Sequence, residues 1–133
     1  MRSLRVTTAL TEISDNGTKS DLPLYQNDLK FGIGVLKQFI IIDNSIVDTQ
    51  VTPVVITPPT KTTGVFIRAT YEKDYLEDNI EKGDPALIQV DFNNSGNFLT
   101  ASAFNLENFN PTEIAIKATG TKLIRVERTI SAE

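Results

Sequence analysis

The chain has 133 residues and a mass of 14.7 kDa, so residues 1–133 are expected to form a single domain. Hydrophobic residues make up 40% and charged residues 23%, which favours a folded core over a disordered chain. The sequence contains no Cys and no His. It therefore excludes a disulfide scaffold, a zinc–thiolate site and a thiol nucleophile, and it lacks the commonest general base of hydrolytic triads.

The net charge of −4 argues against a nucleic-acid partner, because such proteins need a basic surface to neutralise phosphates. The imbalance is local, since residues 72–84 hold six acidic and two basic side chains and account for the whole net charge. The longest apolar run, residues 39–42, is far shorter than the roughly 20 residues that span a bilayer. Residues 1–10 lack the apolar core of a signal peptide, so we expect synthesis in the cytoplasm and no membrane partner.

Alternation with a period of two predicts β-strands in the first part of the chain. Residues 4–10 alternate apolar and polar side chains, and residues 15–18 (DNGT) predict a turn, because Asn-Gly readily adopts positive φ. Residues 31–35 alternate large apolar side chains with glycines, which suits close packing against another backbone. The apolar run at 39–42 predicts a strand buried on both faces.

Residues 51–62 (VTPVVITPPTKT) contain three of the six prolines. Proline cannot donate to a β-ladder, so this segment is predicted as an edge strand on its own core or as an extended arm on a neighbouring subunit. The same two alternatives hold for the N-terminal strand. The candidate interface residues from both segments are Leu4, Val6, Val51, Pro53, Val54, Val55, Ile56, Pro58 and Pro59.

The second part of the chain continues the strand pattern. Strands are predicted at 64–71, 86–92 and 98–106, and residues 114–126 predict a closing β-hairpin with its turn at Thr119-Gly120. Between the first two, at most one short helix is expected near residues 72–82. Seven to eight strands at this spacing predict an all-β fold, a single antiparallel β-sandwich that is jelly-roll-like.

Chemistry-bearing candidates are few. The acidic residues of 72–84 offer oxygen ligands for calcium, but their spacing does not match the twelve-residue calcium loop, and a solvated surface segment is favoured. Paired carboxylates for glycoside hydrolysis occur in any acidic protein, and no Trp is present to stack on a sugar ring. We therefore predict no catalytic residue, no metal, no cofactor and no enzymatic activity.

The C-terminal sequence NPTEIAIKATGTKLIRVERTIS resembles the last hairpin of small β-sandwich proteins on tailed-bacteriophage particles. The residues that carry the resemblance are 113–117 (EIAIK), Gly120, and 123–126 (LIRV). The resemblance implies a virion structural role, such as head decoration, a head-fibre base or a tail component. It also implies major capsid or tail proteins of the same particle as partners, and assembly in several copies.

Two functions from different classes remain open. The first is a non-enzymatic structural protein that docks on a larger assembly, which predicts subunit contacts above about 1,000 Å² in total. The alternative is a carbohydrate-binding β-sandwich module, which needs a concave face with exposed aromatic side chains.

Overall fold

The computed structural model describes residues 2–31, 34–43 and 53–133. Within these ranges the chain forms β-strands linked by turns and one 3-10 turn, Leu76–Asp78. The strands in chain order are β1 (Arg2–Thr8), β2 (Thr11–Ile13), β3 (Lys19–Asp21), β4 (Tyr25–Phe31), β5 (Gly34–Ile42), β6 (Val54–Ile56), β7 (Thr62–Tyr71), β8 (Ile88–Phe92), β9 (Leu99–Ala101), β10 (Ala103–Glu107), β11 (Ile114–Lys117) and β12 (Ile124–Ala132).

Two four-stranded antiparallel sheets form the body of the protein. Sheet 1 has the strand order β10-β7-β12-β5, and sheet 2 has the order β6-β11-β8-β9. The remaining strands, β1 to β4, form a separate two-stranded ribbon. The predicted all-β antiparallel sandwich is therefore confirmed, and the described residues place eight strands in the two sheets and four more in the ribbon.

The core lies between the two sheets and follows from the alternation along each strand. On β7, Val65, Ile67 and Ala69 are buried, while the side chains between them face the other side of sheet 1. The other side of the core comes from sheet 2, from Ile88 and Val90 of β8 and from Ile114 and Ile116 of β11. The fully packed cluster consists of Ile42, Val65, Ile67, Ala69, Ala86, Ile88, Val90, Phe104, Ile114, Ile116, Ala118, Ile124 and Val126.

The predicted closing hairpin is wrong. Strand β11 pairs with β6 and β8 in sheet 2, whereas β12 pairs with β7 and β5 in sheet 1. Each of these strands already has a partner on both of its edges, so no edge is left for the two to pair with each other. The chain crosses from one sheet to the other at residues 118–123, and the apolar side chains of the two strands meet across the core.

The predicted strand at 98–106 is also divided between the sheets. Strand β9 pairs with β8 in sheet 2, and β10 pairs with β7 in sheet 1. Ser102 lies at the change of sheet, where its carbonyl accepts a hydrogen bond of 2.8 Å from the amide of Ala69. A continuous period-two pattern predicts extended backbone but does not show where a strand changes its partner.

The short helix predicted near 72–82 is a single 3-10 turn, Leu76–Asp78. Tyr75 and Ile80 form an isolated β-bridge around this turn, and Asn79 adopts a left-handed conformation with φ of 57°. The Asp74 carboxylate accepts a hydrogen bond from the amide of Lys82. Aspartate side chains that bond to nearby backbone amides compete with helix formation, and here the loop geometry prevails.

The prediction that residues 39–42 are buried on both faces is wrong. Ile42 is buried and Ile40 is half-buried against the core, but Phe39 is 54% exposed and Ile41 is 40% exposed on the opposite face. The predicted glycine alternation at 31–35 lies partly outside the described residues.

Candidate functional site

The β1–β4 ribbon, here called the β-arm, extends from the sandwich as one long antiparallel pair. Strand β1 pairs with β4 from Arg2↔Phe31 to Thr8↔Tyr25, and β2 pairs with β3 beyond it. The predicted turn at 15–18 closes the tip, where Gly17 has a φ of 85° and its amide donates to the carbonyl of Ser14. Of the Asn-Gly pair, Gly17 supplies the left-handed conformation, and the Asn16 side chain accepts a hydrogen bond of 3.0 Å from the Thr18 amide.

The β-arm contains an irregularity between its two halves. Two residues of one strand, Ala9 and Leu10, lie opposite three residues of the other, 22–24. The amide of Leu22 donates to the carbonyl of Leu10, and Pro23, which has no N–H, occupies the extra position. This bulge places three leucines close together along the arm: Leu10, Leu22 and Leu24.

The base of the β-arm, residues 2–6 and 27–31, packs on the outer face of sheet 1. Leu29 is 2% exposed, and its Cδ1 atom would lie 2.6 Å from a Cβ atom on Gly64, so the missing side chain makes room for it. The Asn27 amide donates a hydrogen bond of 2.8 Å to the Glu107 carboxylate. The same outer face of β7 contributes Phe66 to an open apolar depression of about 270 Å³ beside β1.

The opposite face of the arm base is polar. The Arg5 guanidinium donates two hydrogen bonds to the Asp28 carboxylate, at 2.8 Å and 3.1 Å. These hydrogen bonds lower the pKa of Asp28 and raise the pKa of Arg5. Both side chains are exposed, so the pair fixes the register of β1 and β4 more than it stabilises the fold.

Beyond the base, residues 7–26 form the arm overhang, and every one of them is exposed to solvent. The overhang carries five large apolar side chains that are between 43% and 63% exposed: Leu10, Ile13, Leu22, Leu24 and Tyr25. A two-stranded ribbon without a covered face is marginally stable in water. A concentration of exposed apolar side chains on such a ribbon is typical of a surface that a partner covers.

The residues predicted as an interface lie in two separate places. Leu4 and Val6 are half-buried at the arm base, beside Phe66 and Thr129 of sheet 1. The proline-bearing segment instead begins sheet 2, where β6 is the edge strand next to β11. The structure therefore does not bring the two predicted sets together.

The proline-bearing segment packs mostly on its own domain. Pro58 is buried, and Pro53, Val54, Ile56 and Pro59 are half-buried, while Val55 is 54% exposed. The Pro59 carbonyl accepts a hydrogen bond of 2.7 Å from the Thr62 hydroxyl. Val51 lies outside the described residues. This arrangement matches the edge-strand alternative and leaves Val55 as the apolar side chain of β6 that faces solvent.

The acidic residues of 72–84 do not converge on one point. The Asp84 carboxylate accepts a hydrogen bond from the Glu81 amide, as Asp74 does from Lys82, and Asp78 forms an ion pair of 3.0 Å with Lys122. In the described ranges no group of three or more potential acidic, His or Cys ligands is placed to hold a metal ion. Asp74 and Asp84 thus connect parts of the loop to each other, and Asp78 connects the loop to the segment before β12.

The sequence predictions missed the apolar residues of the overhang. Two signals were present in the sequence. One is the Asn-Gly turn between two segments of similar length, as in a β-hairpin, and the other is Leu22-Pro23-Leu24, where proline separates two leucines in a polar stretch. Residues 11–28 also lack a continuous apolar alternation, which is typical of a ribbon that covers no core of its own.

In comparisons with known proteins, no family model, no curated protein and no solved structure matches this chain. In the part of the chain that the structure describes, no helix has the length and apolar character needed to cross a membrane.

Proposed function

We propose that the protein is a non-enzymatic structural subunit that docks on a larger protein assembly through the arm overhang. The observation that carries the proposal is the exposure of five large apolar side chains on a ribbon that leaves the sandwich at Thr7 and Gln26. Such side chains gain about 25 cal/mol for each Å² of apolar surface that a partner covers.

The anchoring of the arm base supports the same function. Leu29 fills the space above Gly64, and Asn27 bonds to Glu107, so the overhang is attached to a packed sheet at a defined position. A binding element on a rigid support loses less conformational entropy on docking than a free tail does. The sandwich thus serves as the base, and the arm as the contact element.

A tailed-phage virion is the assembly that we propose, with its capsid or tail proteins as partners. This finer part rests on the sequence resemblance of residues 113–126 alone. The structure of residues 113–126 gives the resemblance no further support, because β11 and β12 lie in different sheets and do not form a hairpin. Mass spectrometry of purified particles tests it: the chain must be a stoichiometric component of the particle.

The docking function is tested by replacing two overhang leucines in the native source with Leu10→Ser and Leu24→Ser. We expect the variant chain to be lost from the purified assembly while its unfolding temperature stays close to that of the wild type. Leu99→Ser is the matched control, since Leu99 is 55% exposed on β9 in sheet 2. Equal retention of the arm variant and the control contradicts the proposal, as does a native chain of 14.7 kDa that carries no partner.

A further inference from the structure

The outer face of sheet 1 is only partly covered by the arm base. Strand register places three residues of β5, namely Lys37, Phe39 and Ile41, opposite Thr129, Glu127 and Arg125 of β12 on this face. Arg68 of β7 lies opposite Glu127 on its other side. We call Lys37, Phe39, Ile41, Arg68, Arg125 and Glu127 the open face.

The open face combines exposed apolar surface with positive charge. Phe39 is 54% exposed and Ile41 is 40% exposed, and the Arg125 guanidinium lies 3.8 Å from the centre of the Phe39 ring. Three cationic side chains and one carboxylate belong to this surface. The Arg125 guanidinium is held in place by the Phe39 ring and by the hydrogen bond of 3.1 Å that it donates to Glu127.

The arm overhang has the complementary character. Its five large apolar side chains are accompanied by three carboxylates, Glu12, Asp15 and Asp21, and by one cation, Lys19. An acidic apolar ribbon and a basic apolar sheet face attract each other, whereas each repels a partner surface of its own charge. The overhang also supplies 20 residues, which is within the range of roughly 20–30 residues that each partner contributes to a stable interface.

We propose that the arm overhang of one copy docks on the open face of a second copy of this chain. This inference rests on the function proposed above and names a neighbouring copy within the same assembly, in place of a capsid or tail protein, as the partner of the arm. Because residues 7–26 are all exposed, no described part of the molecule covers the overhang, and Phe39 and Ile41 of the open face are exposed in the same chain. A single contact between an arm and an open face covers both kinds of exposed surface. If each of two copies docks its arm on the other, two such contacts form and the buried area doubles.

The first test is the concentration dependence of mass, measured by sedimentation on the full-length chain. We expect self-association with a dissociation constant in the micromolar range or below, as for interfaces of standard size. Higher salt is expected to weaken it, because the two surfaces carry opposite charge. A wild-type chain that remains monomeric at all concentrations overturns this inference.

Complementation between two variants gives the sharper test. The arm variant carries Leu10→Ser, Ile13→Ser, Leu22→Ser and Leu24→Ser, and the face variant carries Phe39→Ser and Arg125→Glu. Each variant alone retains only one of the two surfaces, so we expect its dissociation constant to rise at least tenfold. A mixture of the two retains one intact contact, from the arm of the face variant to the face of the arm variant, and is expected to form heterodimers.

Leu99→Ser, on sheet 2, is the control and is expected to leave the dissociation constant unchanged. Circular dichroism of each variant verifies the fold before the masses are compared. Association of the wild type without heterodimers in the mixture overturns the pairing of arm with face. A different result would contradict the docking function itself, namely retention of the arm variant in the native assembly.

Discussion

Gly64 lies where the base of the β-arm crosses sheet 1, and three side-chain atoms converge on the space above it. A Cβ atom there would lie 2.6 Å from Leu29 Cδ1, 2.9 Å from Phe66 Cε2 and 2.9 Å from Ser131 Oγ. The glycine is therefore required for close approach of the arm, and the requirement is one of space and not of backbone conformation.

We expect Gly64→Ala to lower the free energy of unfolding by about 1–3 kcal/mol, the usual cost of overpacking, measured by urea denaturation. Leu29→Ala in the same chain makes room for the added methyl group. The double variant should therefore lose less stability than the sum of the two single losses. Strict additivity would show that Leu29 does not occupy this space.

Asp91 holds the turn between β8 and β9. Its side chain is buried and accepts hydrogen bonds from the Ser95 hydroxyl, the Ser95 amide and the Gly96 amide. The hydrogen bond from the Ser95 side chain, together with those from the two amides, lowers the pKa of Asp91 below its ordinary value. The ionised carboxylate is thus favoured in the folded state.

A carboxyl group with a lowered pKa adds stability above its unfolded pKa, about 3.9 for Asp, and loses it as the pH falls through the folded pKa. We expect Asp91→Asn to lower the melting temperature at neutral pH and to have a smaller effect at pH values below the folded pKa. Thermal unfolding as a function of pH measures this. Asp15→Asn at the exposed arm tip is the control for the loss of one negative charge, and a constant difference between Asp91→Asn and the wild type at all pH values contradicts the assignment.

The β-arm divides into a packed base and an exposed overhang, and the two parts are expected to respond differently to mutation. Leu29→Ala removes a side chain that is 2% exposed and should cost about 2–5 kcal/mol. Leu24→Ala removes one that is 63% exposed and should change the free energy of unfolding by no more than about 0.5 kcal/mol. Chemical denaturation of the two variants at low protein concentration checks the contrast, and equal losses would mean that the overhang packs on the sandwich.

The strands themselves could be predicted from the sequence, because alternation is a local property that the pleat of a strand imposes. The buried positions of β7, such as Val65 and Ile67, show this directly. The partners of each strand could not be predicted in the same way. Residues 114–117 and 124–132 are close in sequence, yet they lie in opposite sheets, because their apolar faces meet across the core and not side by side.

The interface prediction shows a similar limit. The prolines predicted an edge strand or an extended arm, and the structure places β6 at the edge of sheet 2. They did not indicate whether that edge strand covers its own core, which depends on the burial of Pro58 and Ile56 in three dimensions. Leu22 and Leu24, on either side of Pro23, are a comparable signal in the sequence. Their exposure could not be predicted, because it depends on how far the arm extends beyond the sheet that supports it.

For the molecule as a whole, the sandwich and the arm have different tasks. The sandwich buries a continuous core and supports the arm base, while the overhang leaves five large apolar side chains exposed within the described part of the chain. Because two-stranded ribbons with few tertiary contacts open easily, we expect the backbone hydrogen bonds of the overhang to be transient in the isolated chain. Under the proposed docking function, a partner that covers the overhang would convert this ribbon into part of a continuous interface.

Amide hydrogen exchange of the arm overhang tests this account most directly, by comparing the dilute monomer with the assembled protein from its native source. In the monomer we expect the β2 and β3 amides to exchange fast and the core amides of β7 and β12 to exchange slowly. In the assembly the β2 and β3 amides should become protected, while those of the core change little. Equal exchange of residues 7–26 in both states would contradict the account, because it would show that no partner covers the arm.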